Sequence, residues 1–195
     1  MAFALIALGA SWGGMRALTT VLGALPAGFE LPVAVTQHRP AAGGGNLLEA
    51  ALRRGSRLEV VAATDKEPLL GGRVYVAPAD YHLLVERGHV ALSTDDLVQF
   101  ARPAIDVLFE SAADSYGAGV VGVLLTGVNE DGAAGLAHIA AAGGYTIAQD
   151  PATAEQPQMP AAAIARGAAR RVLPLERIGP FLAGLRPAMA GGGAA

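Results

Sequence analysis

Short apolar runs closed by turn residues recur along the chain at 3–8, 31–36, 58–63, 120–126 and 145–148. They are continuous rather than alternating, which marks strands buried on both faces. Between them, apolar residues fall at helical spacing over 15–25, 46–54, 103–116 and 132–142. The strand–helix alternation predicts an α/β fold: a doubly wound, mainly parallel sheet of about seven strands with helices on both faces. Right-handed crossovers then bring the C-terminal ends of the strands to one edge.

One segment departs from this rhythm. Residues 72–93, GRVYVAPADYHLLVERGHVALS, contain three short β-like pieces and no helix. The Arg87-Gly88 turn between HLLVE and HVALS predicts an antiparallel hairpin at one edge of the sheet. Beyond Pro151 come a proline-rich loop (PATAEQPQMP), a helix starting at Pro160, a short strand in RRVLPL and a last helix over 176–185. Residues 1–186 read as one domain, and the tail from 187 on, ending in GGGAA, reads as disordered. No internal repeat is visible.

Composition narrows the functional classes. A chain of 195 residues that is 52% hydrophobic and 16% charged can bury a substantial core. Its net charge of -3 gives no general attraction to nucleic acid or an anionic bilayer, and its basic residues are scattered apart from the Arg53-Arg54 and Arg170-Arg171 pairs. With no cysteine there is no disulfide framework and no thiolate nucleophile. The N-terminal run MAFALIALGAS lacks a basic flank and is too short to span a bilayer, so it reads as a buried strand of a cytoplasmic protein without membrane insertion.

Candidate chemistry gathers at the strand ends. Gly9, Ser11 and Gly13 in LGASWGGM form G-x-S-x-G between the first strand and the first helix. That pattern suits a serine nucleophile on a sharp turn; it also suits a phosphate cradle or a plain N-cap. The second strand ends in TQHRP and places His38 one strand–helix–strand unit later, on the same edge as Ser11 if the two strands are neighbours. A histidine there stands where a general base belongs, although a capping role fits as well. The strand VVGVLLTG leads into VNEDGAAG, where Glu130 and Asp131 precede a helix, and Asp131 is either its cap or the acid that orients His38. The chain order Ser, His, Asp matches none of the three familiar triads, and a nucleophile on the first strand is too early for an α/β-hydrolase. His82, His89 and His138 read as structural or exposed, and nothing has metal-ligand spacing, so neither metal nor cofactor is called for.

Taken together, GASWGG, TQHRP, RVYVAPADYHLL, RPAIDVLFESAA, VGVLLTGVNEDGAAGL and AQDPATAEQPQMPAAAI resemble, in this order and spacing, the catalytic domain of the CheB family of chemotaxis receptor protein-glutamate methylesterases. The resemblance runs from about Phe3 to Leu185. It implies a serine hydrolase that cleaves glutamyl methyl esters on the cytoplasmic helices of chemoreceptors to glutamate and methanol, with deamidation of receptor glutamines in many members. Motif matching places the nucleophile on Ser11, the base on His38 and the acid on Asp131. The backbone N–H of Trp12 follows the nucleophile as a first oxyanion donor, and the family pattern suggests Val128 N–H as the second.

Four departures from that pattern bear on substrate recognition. Trp12 stands where many members have threonine, Arg39 where methionine is common, Val128-Asn129 where methionine-glycine is usual, and Phe100-Ala101 where glycine-histidine often precedes the Arg-Pro segment. Arg39 and Arg102 become candidates for orienting acidic groups on a receptor helix. Typical members also carry a receiver domain, for which there is no room before Phe3. Constitutive activity, control by a separate regulatory protein, and a longer natural chain remain alternatives. So do a different ester or amide substrate and a catalytically silent binding domain of the same fold.

Overall fold

The structure, a computed structural model, describes residues 3–40 and 47–187. The chain order is β1 (Leu5–Ala10), α1 (Gly14–Gly23), β2 (Val33–Gln37), α2 (Leu47–Gly55), β3 (Glu59–Ala62), β4 (Arg73–Val76), β5 (His82–Glu86), β6 (His89–Ser93), α3 (Ile105–Tyr116), β7 (Val120–Leu124), α4 (Ala133–Ala141), β8 (Tyr145–Gln149), α5 (Gln158–Ala165), β9 (Arg171–Leu173) and α6 (Leu175–Ala183). The Asn46 helix start and the tail beyond residue 187 lie outside the described residues.

Seven strands form one sheet in the order β3-β4-β2-β1-β7-β8-β9, and every pair is parallel. β1 is central and all six of its residues are buried, which is why its sequence is uninterruptedly apolar. Side-chain alternation along it feeds two cores. Ile6, Leu8 and Ala10 join Leu18, Leu22, Leu52, Ile178 and Leu182 of α1, α2 and α6 on one face. Leu5 and Ala7 join Leu108, Phe109, Leu136 and Ile139 of α3 and α4 on the other. The result is the three-layer architecture expected from the alternation.

The 72–93 segment splits in a way its β-like pattern does not reveal. RVYV becomes β4, a parallel strand inserted between β3 and β2, reached from β3 by a connection without a helix. The other two pieces make the expected hairpin, with Glu86 opposite His89 across the Arg87-Gly88 turn, as a separate two-stranded sheet. It leans on the β3–β4 connection, where Leu69 N–H donates to Gly88 O at 3.0 Å and Val90 N–H to Glu67 O at 2.9 Å. Side chains of α3 fasten it: Val85 N–H donates to Ser111 Oγ, Ser115 Oγ to Val85 O and Gly88 N–H to Tyr116 OH. The α5 helix begins at Gln158, so Pro160 sits in its first turn, where a missing N–H leaves no bond unmade.

Candidate active site

The site grows out of the parallel ladder. Ala10 of β1 pairs with Gln37 of β2, and hydrogen bonding continues one residue past the strands. His38 N–H donates to Ala10 O at 3.0 Å, and Ser11 N–H donates to Thr126 O at 2.9 Å. Ser11 is thus flanked by the ends of β2 and β7, at the C-terminal edge where the chain crosses from one side of β1 to the other, the usual ligand position in such sheets. Gly13 then turns the chain into α1 as its left-handed N-cap, at φ 79°. Polar side chains at the neighbouring strand ends hold this loop. Gln37 Nε2 donates to Ser11 O at 2.7 Å and to His38 O at 3.0 Å, while Thr126 Oγ1 donates to Trp12 O at 2.9 Å. Thr126 N–H is in turn anchored by Gln149 Oε1 at 3.0 Å.

The three side chains expected to meet do so. Ser11 Oγ lies 3.0 Å from His38 Nδ1, and His38 Nε2 lies 2.6 Å from Asp131 Oδ2. Asp131 accepts two further N–H bonds, from Ile105 at 2.7 Å and Asp106 at 2.9 Å. All of its partners are therefore donors, which assigns the imidazole hydrogen to Nε2 and leaves Nδ1 as the acceptor for the Ser11 hydroxyl. The ring presents its nitrogens in the reverse of the serine-protease order, a detail that residue identity alone does not encode. Glu130, the other acid of the segment, points away and pairs with Arg166 at 3.1 Å.

Asp131 is fully buried and does not cap the helix it precedes. The αL residue Gly132, φ 89°, starts α4, and the Asp131 carboxylate turns instead to the N-terminus of α3. Asp106, in the first turn of α3, returns the favour to α4: its Oδ1 accepts Gly135 N–H at 2.7 Å, and its Oδ2 accepts Gln99 Nε2 at 2.9 Å. Two helices thus exchange carboxylates across the site, each acid satisfying the other's unpaired N–H groups.

Burial pushes the Asp106 carboxyl up to about 6 from its ordinary 3.8; Gly135 N–H opposes this, and the charge of Asp131 adds to it. The folded protein then binds a proton more tightly than the unfolded chain. This contribution is full below about pH 4 and fades as pH rises through 6, by something on the order of 3 kcal/mol. In Asp106→Asn this fade is absent. Denaturant unfolding between pH 4 and pH 7 should show the stability of the variant relative to wild type improving as pH rises. A constant difference across that range would contradict the assignment.

Around Ser11 opens a cleft of about 510 Å³ lined by His38, Arg39, Gln99, Phe100, Arg102 and Val128, among others. Among the described residues, neither Trp12 N–H nor Val128 N–H donates to a protein acceptor. The Trp12 ring is 63% exposed and its Nε1 donates to Glu155 Oε1 at 3.1 Å. Both arginines reach the cleft wall already paired. Arg39 Nη1 meets the buried Glu49 carboxylate at 2.7 Å. Arg102 meets Asp80 Oδ1 at 2.7 Å and also donates to the carbonyls of Thr94 and Asp95.

No motif or spacing in the sequence marks Gln37, Thr126, Gln149 or Asp106 as site residues. A polar residue closing an otherwise apolar strand, as in VAVTQ, VVGVLLT and YTIAQ, is the signal that was there to be used for the first three. His82 is buried as a structural histidine, its Nδ1 accepting Ala104 N–H at 3.2 Å and its Nε2 facing Asp96 O at 3.0 Å. His138 is exposed and pairs with Asp114.

Known proteins resemble this chain over nearly its whole length. The family model for CheB methylesterase matches residues 6–182. A putative protein-glutamate methylesterase/protein-glutamine glutaminase of Leptospira interrogans is 41% identical over 179 residues, covering 91% of this chain and 92% of that protein. The protein-glutamate methylesterase/protein-glutamine glutaminase 2 of Pseudomonas aeruginosa is 47% identical over 178 residues, 89% of this chain but 50% of its own length. The chain therefore spans about half of that longer relative. The crystal structure of the Thermotoga maritima CheB methylesterase catalytic domain superposes with a TM-score of 0.88 at 35% identity, covering 94% of this chain and 98% of that one. On sequence, fold and topology, the chain belongs to the CheB methylesterase family.

Proposed function

We propose that this chain hydrolyses glutamyl methyl esters on the cytoplasmic helices of chemoreceptors, with Ser11 as nucleophile, His38 as general base and Asp131 as the acid that orients it. The observation carrying this reading is the unbroken line of hydrogen bonds from Ser11 Oγ through both nitrogens of His38 to Asp131. A serine hydroxyl is almost wholly protonated near neutrality, so His38 Nδ1 takes the proton as Oγ attacks the ester carbonyl. The imidazolium so formed is stabilised by the Asp131 carboxylate, which its three N–H donors hold in place. His38 returns the proton to the departing methoxide, releasing methanol. The same nitrogen then activates the water that hydrolyses the glutamyl-enzyme.

The oxyanion is received by the backbone N–H groups of Trp12 and Val128, neither of which donates to a protein acceptor among the described residues. Each such donor contributes roughly 3 kcal/mol of transition-state stabilisation. Arg39 and Arg102 orient acidic groups of the substrate from the cleft wall, in competition with Glu49 and Asp80. The names of the relatives also support attack on glutamine amides, which proceeds by the same steps with ammonia as leaving group.

Incubation with a methylated cytoplasmic receptor fragment should release methanol stoichiometrically with loss of methyl ester. If no methanol appears while a serine-directed phosphonate labels Ser11, the hydrolase chemistry stands and the receptor substrate is wrong. Absence of labelling in the folded protein would favour a silent binding domain.

A further inference from the structure

Residues 98–101 form a miniature hairpin on the rim of the cleft. Val98 N–H donates to Ala101 O at 3.2 Å and Ala101 N–H to Val98 O at 2.9 Å, and the two residues between, Gln99 and Phe100, have φ of 48° and 62°. Positive φ at both central positions defines a type I′ turn, which glycine, asparagine and aspartate dominate because other side chains crowd the backbone there. Gln99 and Phe100 hold it against that preference. Strain of this kind persists only where the surroundings over-determine the conformation.

The surroundings do. Gln99 Nε2 is bonded to Asp106 Oδ2, His82 Nε2 to Asp96 O, and Arg102 to Asp80 and to the carbonyls of Thr94 and Asp95. These contacts pin the loop, yet Phe100 is 98% exposed. Packing within the fold does not account for a phenylalanine here. The ring lines the same cleft as Ser11 and His38, beside two other exposed apolar side chains, Leu97 and Val128.

We infer that Phe100 is a specificity-determining residue, held by the strained turn at the cleft mouth to pack against an apolar side chain of the substrate helix near the scissile ester. The inference rests on the methylesterase reading above. Whatever fills this cleft must bring an ester to Ser11, so the occupant of the rim is the substrate itself. On a helix, side chains three or four residues from the esterified glutamate lie about 5–6 Å away on the same face, within reach of a rim residue when the ester is seated. A small free ester has no such neighbour. The turn, closed by its two backbone hydrogen bonds, limits the backbone freedom lost on binding.

Kinetics on two substrates, a methylated cytoplasmic receptor fragment and p-nitrophenyl acetate, test this in wild type, Phe100→Gly, Phe100→Tyr and, as a control, Val172→Ala on distant β9. Phe100→Gly is expected to lower the ratio of kcat/KM for the receptor over that for the small ester by roughly tenfold or more. The same variant should raise the Tm by about 2–4 °C, because glycine relieves the turn. Phe100→Tyr should keep the wild-type ratio. Opposite signs for stability and receptor turnover are what a merely structural residue would not show. A ratio unchanged in Phe100→Gly, or equal losses on both substrates, would overturn the inference. Wild type that cleaves the small ester but releases no methanol from the fragment would instead remove the receptor reading and the inference with it.

Discussion

Replacing Ser11 by alanine is expected to lower kcat for methanol release by ~10⁴–10⁶ and to leave the fold nearly untouched. Among the described residues the hydroxyl has a single protein partner, His38 Nδ1 at 3.0 Å. The bonds that shape the loop use the backbone of Ser11 instead, its N–H to Thr126 O and its carbonyl from Gln37 Nε2. Removing one oxygen at the floor of a water-accessible cleft therefore opens no buried void and orphans no buried donor. The oxyanion donors at Trp12 and Val128 remain, so a small residual rate over solution hydrolysis should persist. Single-turnover methanol release read beside denaturant unfolding checks both halves. More than about one per cent of wild-type kcat in a folded Ser11→Ala protein would place the nucleophile elsewhere.

Asp131→Asn should be nearly as damaging to turnover, by ~10⁴, and unlike the serine variant it should also destabilise the protein. Asp131 Oδ2 accepts from both His38 Nε2 and Ile105 N–H, and Oδ1 accepts from Asp106 N–H at 2.9 Å. An amide has only one acceptor oxygen. With its NH₂ in the Oδ2 position it faces Ile105 N–H and donates to His38 Nε2, which moves the ring hydrogen to Nδ1 and turns the base away from its task. With the amide flipped, Asp106 N–H is orphaned and the imidazolium loses its counter-charge. Either way a buried donor at the start of α3 is left unpaired, at a cost of about 1–3 kcal/mol. Unfolding and kcat measured together should show both losses. A variant of wild-type stability and within tenfold of wild-type kcat would remove Asp131 from the mechanism.

Much of the site was legible because strand ends in a parallel sheet share one edge. Ser11 and His38 each follow an apolar run, and strands joined by a single helix tend to be neighbours, so their place on one edge was legible on the condition that the two strands are adjacent. Asp131 was legible as an acid at the end of a third such run; spacing left open whether it caps or orients, and only the family resemblance pointed to the second. The difference lies in α3, whose N-terminus draws the carboxylate away from α4. Asp106 carries no local sign of its task, since an acid in a first helical turn is ordinary; what it contacts is Gly135, far away in the chain. Arg39 and Arg102 stood out as charges near the site. Their partners Glu49 and Asp80 did not, because ion pairing across elements follows from packing and not from spacing.

The RVYV piece shows the same limit in the fold. A short β-like run flanked by loops is equally compatible with a hairpin strand and with insertion into a parallel sheet. The choice was made by the gap between β3 and β2 that Val74, Tyr75 and Val76 fill from both faces. What the sequence by itself determined was the alternation of elements, the buried parallel sheet, the edge at which chemistry gathers and the residues there able to perform it, since all of these follow from periodicity and side-chain chemistry along the chain. What only the tertiary structure decided was the register that sets Ser11 beside His38, the nitrogen each partner meets, the exchange of Asp106 and Asp131 between two helices, and the strained turn that holds Phe100 at the cleft mouth. Those depend on contacts between residues distant in sequence, whose energies exist only once the layers have packed.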